Sequence, residues 1–252
     1  MININNAEVK LFNEIDSTNS AALEHLNIIG AISDPIWFRA KTQTKGRGRN
    51  KNTWVSDEGN LFTTLLIPIS WKLNIIPMLS CVIAASVHQS VSFFLDNQNP
   101  LKIKWPNDIL FENSKLSGVL IENQLSGDNK FSIIGIGVNI ISSPENLSHK
   151  TVSLNDLTSK TDNLLENFFD VLKEKIHTNL NYFNERSINH FREYALSKLW
   201  KLNKDVEFNH SGLVEIGTIV GLSSNYEIEP VSYTHLRAHE TLRYLVCRLL
   251  LE

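Results

Sequence analysis

Lys41-Thr42-Gln43-Thr44-Lys45-Gly46-Arg47-Gly48-Arg49-Asn50-Lys51-Asn52-Thr53-Trp54 is the stretch around which the chain is organised. It has no apolar periodicity, and two glycines alternate with two arginines, which marks a surface loop whose backbone can bend closely around an anion. Each arginine carries a planar fork matched to a carboxylate or phosphate, and Trp54 offers a flat face to a ring. Taken alone, the stretch fits a solvated basic loop or a nucleic-acid grip at least as well, since short basic motifs match by chance. Ile36 to Lys41 reads as a strand entering the loop. Asn60 to Ile69 reads as a strand leaving it, its Leu61-Phe62-Thr63-Thr64-Leu65-Leu66-Ile67 run too apolar for a sheet edge. The loop is therefore flanked by buried strands.

Upstream, Val9 to Ile15 alternates as a strand does, and Asp16-Ser17-Thr18-Asn19 supplies N-cap chemistry for a helix to about Leu26 or Ile29 that carries Ala22, Leu23 and Leu26 inward. Capping accounts for any one of these polar residues. A strand-to-helix turn with several of them is also a place to bind a small polar group. Downstream, Leu79, Ile83, Val87, Val91 and Phe94 form a helical stripe between Ile76 and Leu95, with His88 read as an ordinary helix-surface residue. Pro106 breaks the strand Leu101-Lys102-Ile103-Lys104-Trp105 and presents Asn107 and Asp108, and Glu112-Asn113-Ser114 reads as a hairpin turn before Lys115-Leu116-Ser117-Gly118. If those strands pair, Asp108 and Lys115 lie near the same end of the sheet; a turn former and a strand-end gatekeeper explain them equally. In Ile133-Ile134-Gly135-Ile136-Gly137-Val138-Asn139, two glycines inside a strand suggest that a ligand or another backbone comes close, or else a bulge or tight crossing. Val152 to Thr158 reads as a short helix. Leu165 to Phe183 and Asn189 to Leu199 read as amphipathic helices, and Asp205-Phe208, Ile216-Gly221 and Tyr226-Glu229 as short strands of a small β module.

A chain of 252 residues, 42% hydrophobic and 20% charged, can bury one large domain or one domain plus a small appendage. With 24 Lys+Arg against 27 Asp+Glu the net charge is −3, so the basic loop is a local exception and a general nucleic-acid binder is disfavoured. Cys81 and Cys247 form neither a disulfide framework nor a metal-ligand cluster, which points to a reducing compartment. No run near the ~20 apolar residues of a membrane span is read, and Met1-Ile2-Asn3-Ile4-Asn5 has no charged leader. A cytoplasmic protein with no membrane partner is expected.

Asp16-Ser17-Thr18-Asn19, Gln43 with Gly46-Arg47-Gly48-Arg49 and Trp54, Lys104-Trp105-Pro106-Asn107-Asp108, Lys115-Leu116-Ser117-Gly118 and Gly135-Ile136-Gly137-Val138-Asn139 together resemble the biotin protein ligase (biotin acetyl-CoA-carboxylase ligase) family. The resemblance covers roughly the first 200 residues. It implies an α+β fold, a mixed sheet with helices related to class II aminoacyl-tRNA synthetases (residues 1–200), then an SH3-like β module (residues 201–230). It implies activation of biotin as biotinyl-5′-AMP with ATP and Mg²⁺, then transfer to a lysine of a biotin carboxyl carrier protein. By resemblance, Lys115, Arg49 and Asp108 are catalytic. Ser17, Thr18, Asn19, Gln43, Gly46, Arg47, Lys115, Gly118 and Gly135 bind biotin, and Arg49, Trp54, Asn107 and Asn139 bind the nucleotide; no dedicated protein metal ligand is named.

The sequence departs from the family pattern in three places. Asn50-Lys51-Asn52-Thr53 stands where the family often has another glycine and more basic residues. No helix-turn-helix precedes Val9, so no DNA partner is expected. The β module is expected to be cut short after about Pro230, with residues 231–252 a non-native tail. A lipoate or octanoate transferase of the same fold, or a biotinyl-AMP sensor without transfer, is the rival reading, and a homodimer is left open.

Overall fold

The frame is set by two strands and the helix between them. β1 (Glu8–Ile15) and β2 (Ile36–Gln43) pair in parallel, joined by α1 (Thr18–Ile29). The computed structural model describes residues 2–71, 73–96, 100–145, 147–183, 187–210 and 213–232. Within them, β3 (Leu61–Pro68), β4 (Leu101–Lys104), β5 (Asp108–Phe111), β6 (Ser114–Ser126) and β7 (Asn129–Val138) complete a seven-stranded sheet in the order β1-β2-β3-β7-β6-β5-β4. All its other pairings are antiparallel, so the sheet is mixed and the fold is α+β, as the family resemblance implied.

The sheet is buried on both faces, which is why β3 reads as an unbroken apolar run. Side chains alternate across a strand. Trp37, Leu65 and Ile134 join the large core under α2 (Leu79–Phe94) and α3 (Leu164–Tyr182), while Phe38, Leu66 and Ile133 meet Ala22 and Leu26 of α1 on the opposite face. α4 (Ile188–Ser197) adds Phe191 and Ala195 to the large core. The small core under α1 reaches along β7 to Ile133, and the next same-face positions, Gly135 and Gly137, carry no side chain to extend it. That strip of sheet becomes the site.

Three sequence expectations are corrected. By length and composition the 20-residue stretch Ile75–Phe94 could cross a membrane, contrary to the sequence reading, but 78% of its apolar window is buried inside the protein, as a core helix requires. Val152 to Thr158 is a turn, because Ser153 donates its backbone N–H and its hydroxyl to the Asp156 carboxylate (3.2 and 2.5 Å), a local bond that competes with helix. His88 is a core residue, 2% exposed, bonded through Nδ1 to the Tyr194 hydroxyl at 2.9 Å and facing the Leu101 carbonyl at 3.4 Å.

Burial pushes the His88 imidazole down to about 4, so the folded protein keeps it neutral where the unfolded chain takes up a proton. Stability is complete above pH ~6.5 and is lost as pH falls toward 4, because the unfolded state then binds more protons. We expect the acid-side loss to reach on the order of 3 kcal/mol, at about 1.36 kcal/mol per unit. Urea titrations of wild type and His88→Gln between pH 4 and 7 check this; parallel acid losses in the two would refute it.

β8 (Asp205–His210), β9 (Leu213–Leu222) and β10 (Ile228–Ser232) form a second, three-stranded antiparallel sheet where the small β module was read. Its register shifts at Pro230, which cannot donate to a ladder, and β10 continues through Val231 and Ser232 opposite Thr218 and Gly217. The module thus runs two residues past the boundary drawn from sequence. The rest of the expected tail, residues 233–252, lies outside the described residues.

Candidate functional site

Register places three glycines side by side. Gly118 of β6 lies opposite Gly137 of β7, and Gly135 lies opposite Leu120, on the face that α1 leaves bare. A Cβ on Gly137 would stand 2.5 Å from the Trp54 ring and one on Gly118 2.9 Å from it; one on Gly135 would stand 2.1 Å from Asn19 Oδ1. The strand glycines therefore admit two side chains pressed against the sheet, where the sequence reading left open a ligand or another backbone close by, a bulge or a tight crossing. Trp54 folds the arginine loop back over this strip. Between loop, strip and α1 lies a cavity of about 470 Å³.

One end of the cavity is cationic. A shift of register between Ile109 and Leu110 sets Asp108 opposite Gly118 while Leu110 faces Lys115. The Lys115 ammonium reaches Asp108 Oδ2 at 2.9 Å and lies 5.3 Å from the Trp54 ring centre. Arg49 donates through Nη1 to Asn107 Oδ1 at 3.2 Å, and Asn107 Nδ2 is in turn anchored to the Val119 carbonyl at 2.7 Å. Burial lowers the Arg49 pKa, partly offset by attraction to Asp108. Asn139 lines the same end; its Nδ2 is spent on the Lys115 and Val152 carbonyls (3.3 and 3.2 Å), which ties β6 to the segment after β7.

That segment also brings in a residue that sequence reasoning missed. Lys115 N–H bonds the Lys150 carbonyl (2.8 Å) and Val152 N–H the Lys115 carbonyl (3.1 Å), which holds His149 on the cavity wall. Its pKa is lowered, first by burial and then by Lys115. No spacing or neighbour in the sequence marks it.

The other end is polar and internally braced. Ser17 caps α1 by position but makes no side-chain cap bond, and it lines the cavity. Gln43 Oε1 accepts from the Thr18 backbone N–H (2.8 Å) and hydroxyl (3.2 Å), and Gln43 Nε2 donates to Ser56. Thr64 Oγ1 contacts Thr18 Oγ1 at 2.8 Å and Asn19 Oδ1 at 2.6 Å. Of the residues assigned by resemblance, Ser17, Thr18, Asn19, Gln43, Arg47, Arg49, Trp54, Asn107, Asp108, Lys115, Gly118, Gly135 and Asn139 all line this one cavity.

Gly46 does not line it. A Cβ there would stand 2.3 Å from the Trp54 carbonyl, so its role is to let the loop's two ends touch. Gly46→Ala is expected to open the loop and speed tryptic cleavage between residues 45 and 51 severalfold. Gly48→Ala, whose Cβ comes no nearer than 3.4 Å to a neighbour, leaves the rate at wild type. Equal rates in both variants would refute the assignment.

Fold and site together define a class: mixed-sheet α+β domains with a cavity on one sheet face beneath an arginine loop. Residues 11–139, just over half of the chain, match the model of the biotin/lipoate A/B protein ligase family, and the chain belongs to that family. It is 34% identical over 131 residues to a biotin–[acetyl-CoA-carboxylase] ligase of Paracoccus denitrificans, a match covering 52% of this chain and 53% of that one. It is 39% identical over 107 residues to the bifunctional ligase/repressor BirA of Bacillus subtilis, covering 42% and 32%. The chain thus spans about half and about a third of these relatives' lengths. The biotin protein ligase of Aquifex aeolicus, solved in complex with biotin and ATP, superposes with a TM-score of 0.71 at 29% identity, covering 89% of this chain and 95% of that one.

Proposed function

We propose that this chain is an ATP-dependent biotin protein ligase acting on a biotin carboxyl carrier protein. The observation that carries the reading is the convergence of Lys115, Arg49 and Asp108 at one end of a cavity whose other end is lined by Ser17, Thr18 and Gln43. A biotin carboxylate and a nucleotide phosphate repel each other, so their reaction needs fixed cations where they meet. The carboxylate oxygen attacks the α-phosphorus, the bond to pyrophosphate breaks, and biotinyl-5′-AMP remains. Lys115 and Arg49 offset the charge gathering on the phosphoryl oxygens, and Asp108 aims the ammonium. A carrier lysine then attacks the acyl carbon and AMP departs. Trp54 offers a base its ring face, and Asn139, whose Nδ2 is engaged, its amide oxygen.

Mg²⁺ fits the donors present. Asp108 is the one carboxylate lining the cavity among the described residues, and Mg²⁺ is commonly held by one or two carboxylates together with substrate phosphates. Bound there, it would neutralise phosphate charge.

A lipoate or octanoate transferase is the competing reading, since the family embraces both chemistries. The polar end favours biotin: a ureido ring offers N–H and C=O groups to Ser17 and its neighbours, whereas a dithiolane ring or alkyl chain offers none. The test is incubation with ATP, Mg²⁺, a biotin carrier domain and either labelled biotin or labelled lipoate. Biotin-dependent pyrophosphate release with carrier labelling is expected; labelling by lipoate alone would overturn the proposal.

A further inference from the structure

Arg47 and Asn19 come from different elements and meet on one carboxylate. Arg47 Nη2 donates to Glu122 Oε2 at 2.6 Å, and Asn19 Nδ2 donates to the same oxygen at 2.9 Å. Glu122 lies on β6 opposite Ile133, two positions beyond Leu120, on the sheet face that α1 covers. Asn19 is 4% exposed and held at its other end by Thr64, with Gly135 leaving room for it. Asn19 of α1 thus braces Glu122 of β6 against Thr64 of β3.

The backbone around Arg47 is fixed as well. Arg47 bridges Thr53, and Trp54 N–H bonds the Gly46 carbonyl at 2.9 Å. What remains free is the direction of the guanidinium, and Glu122 is its side-chain partner. A half-exposed ion pair adds little to stability. A bare carboxylate this close to an anion site would repel an acid, but here its charge is balanced by the arginine it holds.

We propose that Glu122 is a positioning residue: it aims Arg47 at the cavity before substrate arrives, so that an anionic acid meets a cation already in place. Only the identity of that acid rests on the biotin reading. Placing the cation in advance lowers the ordering cost of binding, so losing Glu122 weakens binding of the acid without altering the chemical step.

The test is a double-mutant cycle in the full chain with Glu122→Ala, Arg47→Ala and the pair, following biotin-dependent pyrophosphate release. Glu122→Ala is expected to raise the KM for biotin by about tenfold with kcat within about twofold, the signature of lost ground-state binding. In the Arg47→Ala background the same change should add much less. An additive cycle, or a fall in kcat at unchanged KM, overturns the proposal. A second arm needs no substrate. Ligand-free Glu122→Ala, assayed well below its own thermal midpoint, should be cut by trypsin after Arg47, whose guanidinium is then free to enter the protease, severalfold faster than wild type, with cleavage after Arg49 unchanged; equal rates after Arg47 overturn the proposal. If wild type releases no pyrophosphate with biotin while the trypsin arm behaves as expected, the biotin reading fails and the positioning role stands.

Discussion

Lys115→Ala is expected to slow biotin-dependent pyrophosphate release about 10²–10³-fold, equivalent to roughly 2.7–4 kcal/mol, as when one preorganised donor to a developing charge is removed. The ammonium sits 2.9 Å from Asp108 and against the Trp54 ring, 21% exposed, so it is placed before reaction and shielded from competing water. Lys115→Arg should not restore the rate, because a planar fork cannot replace a compact ammonium between a carboxylate and an indole face. Single-turnover pyrophosphate release separates this from carrier transfer. A thermal midpoint near wild type would show that the loss is chemical, since breaking one partly exposed ion pair costs little stability. Release at the wild-type rate in Lys115→Ala would remove the ammonium from the mechanism.

The sheet was legible because strand register follows from turns that the sequence declares. Glu112-Asn113 closes β5 onto β6, with Glu112 at φ 55°, and once those strands pair, Asp108 and Lys115 fall at one end. β3 and β7 were legible for another reason: their unbroken apolar runs require burial on both faces, and they occupy central positions. The glycines of β7 signalled close approach correctly, but spacing cannot say what approaches. Only the fold shows Trp54 of the loop and Asn19 of α1 to be the occupants.

What stayed hidden depends on contacts between residues far apart in the chain. His88 sits on a helix with small and polar neighbours, Ser86, Gln89 and Ser90, that read as a surface. Its burial comes from Tyr194 and Leu101, one 106 residues away and the other on a separate strand. Glu122 reads as an ordinary polar residue late in a strand, and its meaning comes from Arg47, 75 residues distant. His149 belongs to a segment with no periodicity, placed by backbone bonds to Lys115. Val152 to Thr158 failed as a helix because a serine–aspartate turn three residues wide outweighs apolar spacing.

Gly135→Ala is the second large effect expected, and it measures how tightly the polar end is built. The added Cβ would stand 2.1 Å from Asn19 Oδ1 and 2.9 Å from the carbon behind it, on an interior strand paired on both sides and unable to retreat. Asn19 must swing away, which breaks its bonds with Thr64 and Glu122 and leaves the fully buried Thr64 hydroxyl short of one partner. Each lost bond at a buried group costs about 1–3 kcal/mol, so a loss of about 2–4 kcal/mol is expected. For a chain of this size that corresponds to a melting midpoint roughly 5–15 °C lower. Asn19→Ala in the same chain removes the collision and should recover part of the loss, although it cannot restore the brace. A melting midpoint for Gly135→Ala within about 1 °C of wild type would mean that the strand and the helix start are not pressed together, since changes without such a mechanism stay near ±0.5 kcal/mol.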